Sequence, residues 1–119
     1  FISKKMICTN PDLIVDRGNK RELCAGSVAM IFKKMGGEVI YFGKPFPEVY
    51  NQSIDTHNKK ILCIGDNLNT DIKGANFQNY DSLLISNGIH KKEIIDDGIE
   101  KVSKKYEVIA NFMQSELKW

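Results

Sequence analysis

Short apolar runs, separated by polar residues, glycine and proline, set the rhythm of the chain. Ile61-Leu62-Cys63-Ile64 is four consecutive apolar residues between polar ones. That pattern predicts a strand buried on both faces, of the kind found inside a parallel sheet. Val39-Ile40-Tyr41-Phe42 and Ser82 to Ile85 predict two more strands. Lys5 to Thr9, carrying Met6, Ile7 and Cys8, predicts a short strand that ends at a turn in Asn10-Pro11-Asp12. Leu13-Ile14-Val15-Asp16-Arg17-Gly18 is an apolar triplet closed by an aspartate and a glycine.

Helical spacing fills the intervals. From Leu23 the residues Ala25, Ala29, Phe32 and Met35 form a stripe, Lys33 and Lys34 face away, and Gly36-Gly37 stop the helix. Pro47 suits the first turn of a second helix, with Glu48 near its positive end and Val49, Tyr50, Ile54 and His57 inward, ending near Asn58. A third helix, Asp71 to Gln78, buries Leu68, Ile72 and Ala75, with Gly74 permitting close approach to the sheet. Lys91 to Ile95 and Ile99 to Tyr106 read as short surface helices about Asp96-Asp97-Gly98; Phe112, Met113, Leu117 and Trp119 are packing contacts at the end.

The resulting order is strand, helix, strand, helix, strand, an α/β arrangement with a Rossmann-like parallel sheet and right-handed crossovers. Lys44, Asp66 and Asn87 then fall at C-terminal strand ends, on one edge of one sheet. In open α/β sheets that edge is where ligands bind.

Composition narrows the possibilities. A chain of 119 residues suits one domain. A net charge of +2 argues against nucleic acid or an anionic membrane surface as partner. No apolar stretch reaches the length of a membrane span and no signal peptide opens the chain. Cys8, Cys24 and Cys63 are an odd number without zinc-site spacing, which implies a reducing, cytoplasmic setting. The chain begins at Phe1, as processing, a cloned segment or a fragment would each explain.

Chemistry concentrates at Gly65-Asp66-Asn67-Leu68-Asn69-Thr70-Asp71. Two carboxylates and a lysine on one edge suit a phosphate and its Mg²⁺, with Asp66 a direct ligand, Asp71 a ligand through water, and Lys44 neutralising a phosphoryl group. Backbone N–H groups around Asn67 to Asn69 add donors. The set provides charge stabilisation but no nucleophile. Turn capping and helix-dipole effects are the plain alternative for each acid, and His57 and His90 read as ordinary surface or helix-face residues. There is no P-loop and no GxGxxG. In a phospho-accepting receiver domain the lysine follows the acids; here Lys44 precedes them.

Gly43-Lys44-Pro45, a helix, and then Ile64 to Asp71 resemble the third and fourth motifs of the haloacid dehalogenase (HAD) superfamily of phosphohydrolases. The flanks Thr9-Asn10-Pro11-Asp12, Cys24 to Ala29 and Leu84-Ile85-Ser86-Asn87-Gly88 are similar to its subfamily IIA, the NagD-like and nitrophenylphosphatase-like branch. The resemblance covers nearly the whole chain but less than half of a usual member, so the chain looks like a C-terminal piece. It implies a remnant of an α/β cap over residues 1–38 and the C-terminal half of the HAD core over 39–119. Lys44 would be the lysine that orders nucleophile and phosphoryl group, Asp66 the magnesium-binding acid, and Asp71, Asn67 and Asn69 support for the metal and phosphate. Asn10 and Asp12 would belong to the substrate-choosing cap.

The family's nucleophilic aspartate, with a second acid two residues later, has no counterpart before the matched segment. Asp16 is the one local candidate, and Gly18 stands where the second acid belongs. Two readings follow. In one, the chain is part of a Mg²⁺-dependent phosphatase acting on a small phosphorylated metabolite through an aspartyl-phosphate, its nucleophile-bearing half elsewhere. In the other it is an inactive remnant that at most binds or interacts. A homodimer or a complementing N-terminal polypeptide would be the partner.

Overall fold

A computed structural model describes residues 3–54 and 59–118; His57, Asn58 and Trp119, given roles above, lie outside the described residues. Strand β1 (Lys5–Cys8) pairs in parallel with β4 (Glu38–Tyr41), and α1 (Ala25–Lys34) is part of the connection between them. Between β1 and α1 lies an antiparallel hairpin, β2 (Ile14–Arg17) with β3 (Lys20–Leu23). Its two-residue turn is Gly18-Asn19, and Gly18 takes φ +61°, where a side chain would be strained. Leu23, expected to open the helix, instead ends β3, and α1 begins at Ala25. The helix stops where expected: Met35 N donates to Ile31 O and Gly36 N to Lys33 O, with Gly36 at φ +88°.

After α2 (Pro47–Ser53) come β5 (Leu62–Gly65), β6 (Asp81–Ile85) and β7 (Phe112–Gln114), all parallel, in the order β5-β6-β7. A π-helical turn, Leu68–Ile72, runs into α3 (Lys73–Phe77) between β5 and β6. The helices α4 (Lys91–Asp97) and α5 (Ile99–Tyr106) connect β6 to β7. The expected single sheet is therefore not formed: the strand at 39–42 pairs with β1 and does not join β5 and β6. An apolar run marks a strand, not the identity of the strand beside it.

The core sits on one face of the three-stranded sheet. Leu68 and Ile72 from the π turn meet Leu84 of β6, Val102 of α5 and Val108, with Ile94, Ile99, Tyr106 and Ala110 packed around them. Leu84 lies opposite Gly65 and Met113 in the pairing. On the other pleat, Leu62, Ile64 and Phe112 stay exposed. Among the described residues, no helix is long and apolar enough to cross a membrane.

Candidate functional site

The end of β5 builds the site. Asn67 leaves the strand extended, and its side-chain oxygen accepts from Asn69 N at 2.9 Å, starting the turn. Asn67 O then accepts from both Asp71 N (2.9 Å) and Ile72 N (3.1 Å), the wider loop that makes the turn π-helical. This brings the Asp71 carboxylate back over the strand end. Its Oδ2 accepts from Asn67 N at 3.0 Å and its Oδ1 from Lys44 Nζ. Gly65 makes room, since a Cβ there would overlap the Asp71 side chain.

Lys44 arrives from the turn after β4. Gly43, at φ +87° and pressed against Thr9 O, allows that approach, and Phe46 N closes the turn onto Gly43 O at 2.8 Å. Burial pushes the lysine's pKa down, but the hydrogen bond and charge of Asp71, with the fields of Asp12 and Asp66, carry it above the ordinary value. The group is a fixed cation. Asp66 is held from the other side: its Oδ2 accepts from Ile89 N at 3.0 Å, and Gly88 lies too close to it to carry a side chain.

The N-terminal turn reaches the same place. Asp12 Oδ1 accepts from Asn67 Nδ2 at 2.8 Å and Thr70 Oγ1 at 2.7 Å, while Asn10 Oδ1 accepts from Asp12 N at 3.4 Å. Asn10, Asp12, Lys44, Asp66, Asn67 and Asp71 thus share the wall of one cavity of about 510 Å³, with Asn87 beside them. Asn69 does not line it; it lies in the adjoining cleft. Asp16 also borders the cavity, but Arg21 clamps it, with Nε to Oδ1 and a terminal nitrogen to Oδ2, both at 2.8 Å. The Arg21 hydrogen bond holds the Asp16 carboxyl below the usual carboxylate range.

The donors are carboxylate and amide oxygens, the chemistry of a hard cation. Among the described residues no three His, Cys, Asp or Glu side chains cluster as a metal site. A cation here would rest on Asp66 and Asp71 with water, the sparse shell that Mg²⁺ accepts.

Sequence patterning did not reveal the adjoining cleft, about 450 Å³, whose wall includes Tyr41, Phe46, His90 and Tyr106. Tyr41 and Phe46 stack at 5.6 Å and 14°, while His90 and Tyr106 meet edge to face at 4.8 Å. His90 is not a surface residue: it is 6% exposed and precedes α4 as its N-cap. These residues come from four separate segments, and only the fold juxtaposes them.

A family model described as HAD-hydrolase-like matches residues 41–114. Dihydroxyacetone phosphatase of Corynebacterium glutamicum (strain R) is 33% identical over 89 residues, covering 71% of this chain and 32% of that protein. Ribonucleotide monophosphatase NagD of Escherichia coli (strain K12) is 30% identical over 95 residues, covering 77% of this chain and 37% of that protein. The crystal structure of a possible sugar phosphatase of the HAD superfamily from Cytophaga hutchinsonii superposes with a TM-score of 0.72 at 26% identity, covering 98% of this chain and 44% of that one. The chain spans about a third of the length of these curated relatives.

Proposed function

The chain belongs to the HAD-like hydrolase family, in its NagD-like branch, and from that premise we propose that it carries the lysine-and-metal half of a Mg²⁺-dependent phosphatase for a small phosphorylated metabolite. One observation carries the reading: Lys44, Asp66 and Asp71 line a single cavity, with the lysine held in place by Asp71 Oδ1. In this proposal Asp66 would hold Mg²⁺ directly and Asp71 through water. The metal, when bound, offsets charge on the phosphoryl oxygens. Lys44 adds a second, fixed positive charge to the transferring group, and Asp71 and Asn67 keep it aimed.

The attacking aspartate belongs, in this reading, to polypeptide outside these residues. Its carboxylate oxygen would bond to phosphorus as the ester P–O bond breaks, the leaving oxygen taking a proton from the second acid on that same polypeptide, which then takes a proton back from the water that follows. Water then cleaves the aspartyl-phosphate to inorganic phosphate and the free carboxylate. The exposed Leu62, Ile64 and Phe112 support a missing half that covers them. The division into a cap remnant over 1–38 and a core half over 39–119 is part of the proposal, with β4 paired across that boundary to β1. So are a cytoplasmic location, suited to three free thiols, and a homodimer or complementing polypeptide as partner, without nucleic acid or membrane.

A second reading, binding without catalysis, is favoured by one fact: Asp16, a remaining acid at the cavity, has both oxygens taken by Arg21. The separating experiment measures Mg²⁺-dependent hydrolysis of 4-nitrophenyl phosphate by the chain alone and with the polypeptide encoded upstream, with Asp66→Ala as control. Activity only in the mixture, lost in the variant, supports the split site. Activity of the chain alone would make Asp16 the first suspect, and silence in both leaves the binding reading.

A further inference from the structure

Two segments distant in sequence help to wall the phosphate cavity. One is the β2–β3 hairpin, through Val15, Asp16 and Gly18; the other is the turn after β6, through Asn87, Gly88 and Ile89. Arg21, on β3, ties the two together. Its Nε donates to Asp16 Oδ1 and its Nη2 to Asp16 Oδ2, and the same Nη2 donates to Ile89 O, each at 2.8 Å. The last of these bonds spans 68 residues of chain.

Ile89 is thereby held at both ends. Its carbonyl accepts from Arg21, and its N–H donates to Asp66 Oδ2 at 3.0 Å. Its backbone neighbours bond differently: Gly88 O accepts from Lys91 N and His90 O from Ile94 N, so Ile89 O lies outside the helical ladder and is left for the guanidinium. Because that group is planar and rigid, the clamp on Asp16 fixes where its remaining N–H points.

Resting on the phosphatase reading above, we propose that Arg21 is a positioning residue for the metal site: it fixes the Ile89 backbone, whose N–H aims Asp66 at the cation. Arg21 itself does not line the cavity. Loss of Arg21 has two consequences of opposite sign. By charge alone, Asp16 is left unpaired at the cavity and draws Mg²⁺ in more tightly. By position, a freed Ile89 leaves Asp66 unaimed and Mg²⁺ is held more weakly.

The test is Mg²⁺ titration of the intact chain by calorimetry, with amide exchange read by NMR. Arg21→Met removes the donors, Arg21→Lys keeps the charge without the fork, and Glu22→Gln loosens the same hairpin by freeing Arg17 and Lys20. Both Arg21 variants should weaken Mg²⁺ binding about threefold, the low end for one hydrogen bond because Arg21 is 52% exposed. In both, the Ile89 amide should exchange about threefold faster while that of Leu84, in the core, is unchanged. Glu22→Gln should leave both readings at the parent's values. Tighter binding in Arg21→Met, or equal losses in Glu22→Gln, overturns the proposal. The chain has two arginines, so the parent supplies a further measurement. Added Mg²⁺ should move the Arg21 Nε resonance and leave that of Arg17 in place; both unmoved overturns the role even if the variants do not fold. Mg²⁺ bound alike by parent and Arg21 variants overturns the role alone, whereas Mg²⁺ that fails to bind the parent overturns the metal site with it.

Discussion

Replacing Gly65 with alanine asks whether the end of β5 is glycine because Asp71 occupies the space. Gly65 is an ordinary strand residue, so the substitution carries no left-handed backbone strain. Its ideal Cβ falls 2.2 Å from Asp71 Cγ, where ordinary contact begins at 3.4 Å, so the carboxylate must retreat by about 1.2 Å. That distance undoes its hydrogen bonds with Asn67 N and Lys44. Overpacking costs about 1–3 kcal/mol. The lost charged hydrogen bonds add about 1 kcal/mol, discounted because Lys44 is 47% exposed. The sum, about 3 kcal/mol, lowers the melting temperature by roughly 10 °C. Gly18→Ala is the control: at φ +61° with nothing within 4 Å, it pays only for conformation, about 1 kcal/mol. Because Gly65→Ala acts through the Lys44–Asp71 pair, combining it with Lys44→Met should cost about 1 kcal/mol less than the separate losses added together. Urea denaturation of the parent, the three single variants and the double variant decides. A Gly65→Ala protein within about 0.5 kcal/mol of its parent, or strict additivity with Lys44→Met, refutes the reasoning.

Other substitutions probe the surroundings. Asp12→Ala leaves Asn67 Nδ2 and Thr70 Oγ1 without their acceptor, and should cost about 2 kcal/mol in urea denaturation. Tyr50 has a buried hydroxyl with no partner among the described residues, packed where a Cβ on Gly74 would sit, and its pKa is pushed up to about 12 chiefly by burial. Tyr50→Phe is therefore expected to be neutral or stabilising by about 0.5 kcal/mol, and to recover part of the melting temperature lost in Gly74→Ala. Glu93 has a folded pKa below its ordinary 4.5, first through Lys105. Its contribution to stability is complete above 4.5 and fades as the pH falls through the folded value. Urea midpoints of Glu93→Gln and its parent should differ at pH 6 and converge in acid.

The strands at 62–65 and 81–85 were legible as apolar runs, although burial of 62–65 on both faces is not realised, Leu62 and Ile64 staying exposed; the helix stop at Gly36 was legible because glycine chemistry is local. The acidic turn was legible as a motif, though its π-helical path was not: the extra residue is set by Asp71 folding back onto Asn67 and Lys44. The hairpin β2–β3 was missed despite its Gly18-Asn19 turn, a recognised hairpin pair, because Lys20-Arg21-Glu22 shows no apolar alternation. The partner of β4 and the burial of His90 depend on segments distant in sequence, and no local pattern encodes them.

Asp12 joins positions 55 and 58 residues further along the chain. Closing a loop of that length costs roughly 3.5 kcal/mol in chain entropy. The core around Leu84, by contrast, draws all its members from residues after 61. Folding can thus complete that core while the phosphate cavity is still open, and the Asp12 bonds form late. Interactions absent from the transition state act on the unfolding rate, so loss of Asp12 should hasten unfolding while leaving folding speed nearly unchanged. The cavity is a property of the finished chain; the core beneath it belongs to the second half alone.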